Sequence, residues 1–259
     1  MIENNQLVSI IMPSYNCGKY VETTIHSVQA QTYNNWELLF YDDCSNDDSI
    51  QKVSELQRGD KRIKIFCNEQ NSGAAVTRNN ALREVKGKWI AFLDSDDIWE
   101  PEKLEKQIRF MEENGYAFSY TSYQEIDNDS RLTGILVSGP KHVTKQGMYN
   151  FCWPGCLTVM YDYEKIGLIQ IEDIKKNNDY AMWLKVCKKA DCYLLDECLA
   201  KYRRGRAGSV SSHGIMTMIG WHYKLWHEAE KKSAMAAVYY TCLNLVCGFY
   251  KKLRYVKKV

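Results

Sequence analysis

The chain has 259 residues, 45% of them hydrophobic and 25% charged, a composition that suits a folded protein with ample material for a core. Its 34 basic and 32 acidic residues leave a formal charge of +2, so no general attraction to polyanions is implied. Basic residues form no stripe outside the C-terminal tail, which argues against a partner of nucleic acid.

The opening Met1-Ile2-Glu3-Asn4-Asn5 lacks the basic stretch and apolar run of a secretory signal. The ten cysteines include no C-x-x-C pair, and Cys187, Cys242 and Cys247 lie in apolar segments. Reduced, structural thiols in a cytosolic protein are therefore expected.

Residues 7–12 read as a first strand, followed by a loop at 13–16. Tyr20, Thr24 and Val28, with Val21 and Ile25 beside them, recur at helical spacing up to about residue 31. A second apolar run at 36–41 ends in Asp42-Asp43. Ser45 and Asp48 are spaced as a capping box, which predicts a helix from there to residue 57. Residues 62–66 are a third strand, 68–73 a polar loop and 74–85 a helix. A fourth strand at 89–93 runs straight into Asp94, Asp96 and Asp97. This βαβ series predicts a parallel sheet with right-handed crossovers.

Strand C-termini converge on the edge where open α/β sheets bind ligands. Residues 13–16, Asp42-Asp43 and residues 94–97 are thus expected to share a cleft. Clustered carboxylates repel one another, and hard oxygen ligands suit Mn²⁺ or Mg²⁺ shared with substrate phosphates. The plainer alternative is an acidic turn capping the next helix.

Pro101 suits the first position of a helix ending at Gly115. A strand is expected at 116–120, then a weaker pattern through 124–155 with a short helix at 145–151. A strand at 157–160, a turn at 163–167, a helix at 179–190 and a strand at 192–195 follow. Residues 202–212 form a loop rich in Arg, Gly and Ser. The tail reads as two helices, 215–230 and 233–250. Thr241, Asn244 and Gly248 dilute the second below what spanning a bilayer requires. It either packs on the body or lies at a membrane surface, followed by Lys251, Lys252, Arg254, Lys257 and Lys258. No G-x-G-x-x-G, P-loop or H-E-x-x-H motif occurs, so dinucleotide and P-loop chemistry is unsupported.

With those residues in place, the chain resembles the inverting, GT-A-fold glycosyltransferases of family 2. The matching stretches are residues 8–16 (VSIIMPSYN), 42–47 (DDCSND), 71–79 (NSGAAVTRN), 92–97 (FLDSDD) and 178–184 (NDYAMWL). Their order and spacing are specific, where any one alone is weak. Trp153-Pro154-Gly155 and the loop at 202–211 resemble a subgroup that makes capsule, O-antigen or teichuronic-type chains.

The resemblance implies an α/β GT-A fold, its mostly parallel central sheet flanked by helices. Residues 1–115 would form the nucleotide-sugar half, 116–212 the acceptor and catalytic-base half, and 213–259 the C-terminal helices. Pro13, Tyr15 and Asp43 would line the uracil pocket, with Arg78 supporting the nucleotide. Asp94, Ser95 and Asp96 would make the D-x-D turn, Asp96 being the more direct ligand of Mn²⁺ or Mg²⁺ and Asp94 the second. Asp179 matches the catalytic base; alone, it also reads as a helix cap or first-turn acid. Arg203 and Arg206 meet a diphosphate or anionic acceptor, or form a solvated cluster. Trp153 stacks on a sugar or is buried. His213 adds a metal ligand or is a surface histidine.

The implied activity is transfer of a hexose or N-acetylhexosamine from a UDP-sugar to a lipid-linked saccharide acceptor, with inversion. Such an enzyme would work as a peripheral protein on the cytoplasmic face of the cell membrane, its tail meeting anionic lipid or forming a homodimer. Two departures stand out: Asn178 replaces the Glu that often precedes the family's base, and the Q-x-x-R-W motif of processive synthases is absent. The second favours single-residue transfer. A nucleotidyltransferase is the alternative enzyme, although residues 13–16 are not its Gly- and Arg-rich loop. A non-catalytic nucleotide-sugar-binding protein is the other alternative.

Overall fold

The computed structural model describes residues 6–205 and 214–259. Four strands form its parallel part: β1 (Val8–Ser14), β2 (Trp36–Asp42), β3 (Ile63–Cys67) and β4 (Trp89–Phe92), in spatial order 3-2-1-4. Their register sets Ser14 beside Asp42 and Ile11 beside Phe92, so the strand C-termini share one edge. β1, β2 and β4 are apolar runs because helices cover both sheet faces. α1 (Val21–Gln29), α2 (Ser49–Gly59) and α3 (Gly73–Arg83) are the crossovers, as the βαβ pattern predicts.

Beyond β4 the sheet becomes mixed. β5 (Ile98–Trp99) precedes α4 (Lys103–Asn114), which Gly115 ends in the left-handed conformation at φ 69°. β6 (Phe118–Ile126), β7 (Leu132–Val137) and β8 (His142–Val143) lead to α5 (Lys145–Asn150). β9 (Met160–Asp162) runs antiparallel between β4 and β6, and α6 (Tyr163–Ile166) follows it. α7 (Asn178–Cys187) precedes β10 (Cys192–Arg203), which pairs with β5, β6 and β8. The C-terminal part comprises α8 (Ile215–Lys224) with a π-helical turn at Leu225–Ala229, α9 (Ala234–Arg254) and β11 (Val256–Lys258).

Several local expectations are corrected. Ser45 does not cap α2: its hydroxyl donates to Asp42 at 2.6 Å, and the helix begins at Ser49. α4 begins at Lys103, after Pro101, whose carbonyl accepts from Thr32 N at 2.9 Å. Residues 202 and 203 belong to a strand because β10 continues along β6 through two register shifts. The segment 157–160 opens as a 3₁₀ turn at Cys156–Thr158, before β9. The basic tail also carries a short strand, in which Val256, Lys257 and Lys258 pair with β7. All ten cysteines are free.

Candidate active site

The site is assembled at the C-terminal ends of β1, β2 and β4. Asp43 N donates to Ser14 O at 2.8 Å and ties the first two ends together. The buried Asp43 carboxylate accepts from Ser72 N, Gly73 N and Asn68 Nδ2, each at 2.7 Å. Ser72 and Gly73 start α3, where free N–H groups and the helix dipole favour an anion. Asp42 turns the other way and accepts from Ser45 N at 2.7 Å. Pro13 is half-buried and Tyr15 exposed, on the segment that follows β1's buried core.

The turn after β4 divides its carboxylates by side. Asp94 and Asp96 are partly exposed, whereas Ser95 and Asp97 are buried. Asp97 N donates to Asp94 O at 3.1 Å to close the turn, and Ser95 O accepts from Thr24 Oγ1 of α1 at 3.2 Å. Burial pushes the Asp97 carboxyl well above the usual carboxylate range, with Asp96 and Asp94 adding to the effect. Asp97 Oδ1 accepts from Arg203 N at 2.7 Å, which ties the turn to β10.

One guanidinium joins this turn to α7. Arg78, on α3, donates from Nη2 to Asp94 Oδ1 at 2.6 Å and from Nη1 to Asn178 Oδ1. Asp179 is the next residue, in the first turn of α7, and Asn177 occupies the capping position before it. Burial raises the Asp179 pKa; Arg78 and a 2.8 Å bond from Tyr180 N pull in the opposite direction. The helix start therefore carries a carboxylate more basic than a free aspartate, opposite the D-x-D turn.

Arg203 is no part of a solvated cluster, and of the two places the sequence allowed Trp153 it takes the buried one. The Arg203 guanidinium is buried, donating to Asp96 O and Asp127 O at 2.7 Å and to Ser130 Oγ at 2.9 Å, and it lies over the Tyr20 ring. It supports the backbone of the carboxylate turn from behind. Trp153 is buried, its indole N–H donating to Gly147 O at 2.9 Å and its ring packed edge-on against Phe151 and Tyr255. Its ring is part of the core. Arg206 and His213 lie outside the described residues.

Sequence reasoning missed three neighbours. Asn178 was noted only as a departure, yet it is the second anchor of Arg78. Burial pushes the Tyr202 phenol up, and Asp97, Asp94, Asp96 and Asp179 add to the effect. Lys251 reaches in from α9, donating to Trp153 O at 2.7 Å. Burial lowers its pKa to about 8, against the pull of Cys152 and Asp179. No local pattern marks any of the three.

Among the described residues no group of three or more His, Cys, Asp and Glu side chains is placed to enclose a metal ion. The hard oxygens of Asp94 and Asp96 nevertheless fit a divalent ion that takes its remaining ligands from substrate phosphates and water.

The sequence profile described as Glycosyl transferase family 2 matches residues 9–156. The chain belongs to glycosyl transferase family 2. It is 39% identical over 251 residues to an Escherichia coli UDP-Glc:alpha-D-GlcNAc-diphosphoundecaprenol beta-1,3-glucosyltransferase, WfgD, covering 96% of each chain. It is 43% identical over 198 residues to TuaG, a glycosyltransferase assigned to teichuronic acid biosynthesis in Bacillus subtilis, covering 76% of this chain and 79% of that one. Among solved structures, residues 1–349 of Staphylococcus aureus TarS in complex with UDP-GlcNAc superpose with a TM-score of 0.71. That match covers 94% of this chain and 72% of TarS 1–349 at 20% identity, so it speaks for the fold alone. The mixed α/β sheet flanked by helices is the GT-A architecture.

Proposed function

We propose that this glycosyltransferase moves a hexose or N-acetylhexosamine from a UDP-sugar to a lipid-linked saccharide, with inversion, at the cytoplasmic face of the cell membrane. The observation that carries this reading is the Arg78 bridge. One side chain fixes Asp94 of the D-x-D turn and the start of α7, so a diphosphate-facing anion and a basic carboxylate share one cleft. The relatives' acceptors and donors, as named, supply the substrate class.

Each residue then has a task. Asp43 and Tyr15 frame the pocket for the base of the nucleotide, with Pro13 as its floor. Asp94 and Asp96 would hold Mn²⁺ or Mg²⁺, which when bound would supply charge neutralisation on the departing UDP. Asp179 takes the proton from the acceptor hydroxyl; its raised pKa suits a base working against an alcohol. The hydroxyl oxygen attacks the anomeric carbon as the bond to UDP breaks. A single displacement inverts that centre and requires no carboxylate nucleophile.

The test is release of UDP from a panel of UDP-sugars with Mn²⁺ or Mg²⁺, alongside Asp96→Ala and Asp179→Asn. Metal-dependent hydrolysis of one donor, lost in both variants, is the expected outcome. Absence of UDP binding with either ion would overturn the reading.

A further inference from the structure

α9 is an amphipathic helix built inside out. Ala237, Thr241 and Asn244 face the body and are buried. Asn244 holds that orientation by polar bonds, accepting from Trp226 Nε1 at 2.9 Å and donating to Tyr149 O at 3.1 Å and Asn150 O at 2.7 Å. On the opposite side, Met235, Val238, Tyr239, Val246, Phe249 and Leu253 are between 53% and 85% exposed. At 3.6 residues per turn they fall in one stripe, about 27 Å long at 1.5 Å per residue. Contiguous apolar surface of this extent on a folded protein marks an interaction site.

Charge selects the occupant. Residues 231–259 contain Lys231, Lys232, Lys251, Lys252, Arg254, Lys257 and Lys258 and no acidic residue. Cations therefore stand at both ends of the stripe. A second copy packed on it by two-fold symmetry, parallel or antiparallel, would set a basic helix end against a basic helix end. Anionic headgroups satisfy both ends together. Among the described residues, no helix is long and apolar enough to cross a membrane.

We propose that α9 lies along an anionic lipid surface, its apolar stripe set into the headgroup boundary and its flanking Lys and Arg on the phosphates. This deepens the proposed function, on which it rests for the nature of the acceptor. The inner side of the same helix carries Lys251 to Trp153 O, near Asp179.

The test is flotation of the full chain with vesicles of phosphatidylcholine alone or mixed with phosphatidylglycerol. Binding is expected on the mixed vesicles and is weakened by salt, which screens the headgroup attraction. The exposed double substitution Val246→Asp with Leu253→Asp should lower the partition about tenfold or more, with its thermal melt and donor hydrolysis unchanged. Equal binding of parent and variant, or none on the mixed vesicles, overturns the proposal. So does a parent dimer in sedimentation that the same substitutions dissociate without any vesicle binding, which assigns the stripe to a second copy. Variant-sensitive flotation without UDP binding in the presence of either ion upholds the lipid surface and defeats the catalytic reading instead.

Discussion

Replacing Arg78 with Met keeps the aliphatic stem and removes the cation shared by Asp94 and Asn178. Removing one partner from a fully buried ion pair costs about 3–5 kcal/mol. The Arg78 side chain is 8% exposed and that of Asp94 32%, so water recovers part of this loss. Asn178 Oδ1 loses a charge-assisted bond, a cost of about 1 kcal/mol or more. Against that, Arg78 Nε is buried without a partner, and its removal returns some stability. The balance is a loss of about 2 kcal/mol, which for a domain of this size lowers Tm by about 4–8 °C. The second consequence is electrostatic. Arg78 holds the Asp179 pKa down, so its loss lets burial push that pKa further up. The acid limb of the kcat/KM profile for donor hydrolysis should then move to higher pH. Arg78→Lys restores a charge but cannot fork to both partners, so it should recover part of the limb position and little of the rate. A stable Arg78→Met enzyme with an unmoved acid limb would refute the bridge as the link between the carboxylate turn and the base.

Other perturbations follow from the same geometry. Lys103 is wholly buried, its Nζ has no hydrogen-bond partner, and burial drives its pKa well below the usual lysine range. Lys103→Met should raise stability by about 1–2 kcal/mol in urea melts, and a loss of that size would show that the amine has a hidden role. Asn244→Leu strands the Trp226 indole N–H and the Tyr149 and Asn150 carbonyls, and should cost about 3 kcal/mol, with amide exchange of α9 accelerating first. Below pH 8 Lys251 is charged in both folded and unfolded states and its burial penalty is fully present. As pH rises from about 8 towards 10.5 the folded protein sheds the proton first, so stability rises relative to Lys251→Met. Paired melts across that window measure the difference, and parallel curves would disprove the shift.

The sequence by itself determined the parallel half of the molecule. β1, β2 and β4 are legible because a strand covered on both faces must be apolar throughout, and that requirement is local. The polar residues that follow each strand could be assigned to one edge because a right-handed βαβ series leaves little topological choice. Tertiary structure decided the rest. Arg78 and Asn178 are brought together by packing of α3 on α7, a contact no local pattern carries. Arg203 lies in a stretch that composition marks as loop, yet strand pairing with β6 extends to it and buries its charge against backbone carbonyls. β11 exists only because β7 offers it an edge. On sequence alone the apolar stripe of α9 could face either the body or a membrane surface. The donors and acceptors around Asn244 turn it outward, because unmet buried polar groups would cost more than the exposed apolar side chains.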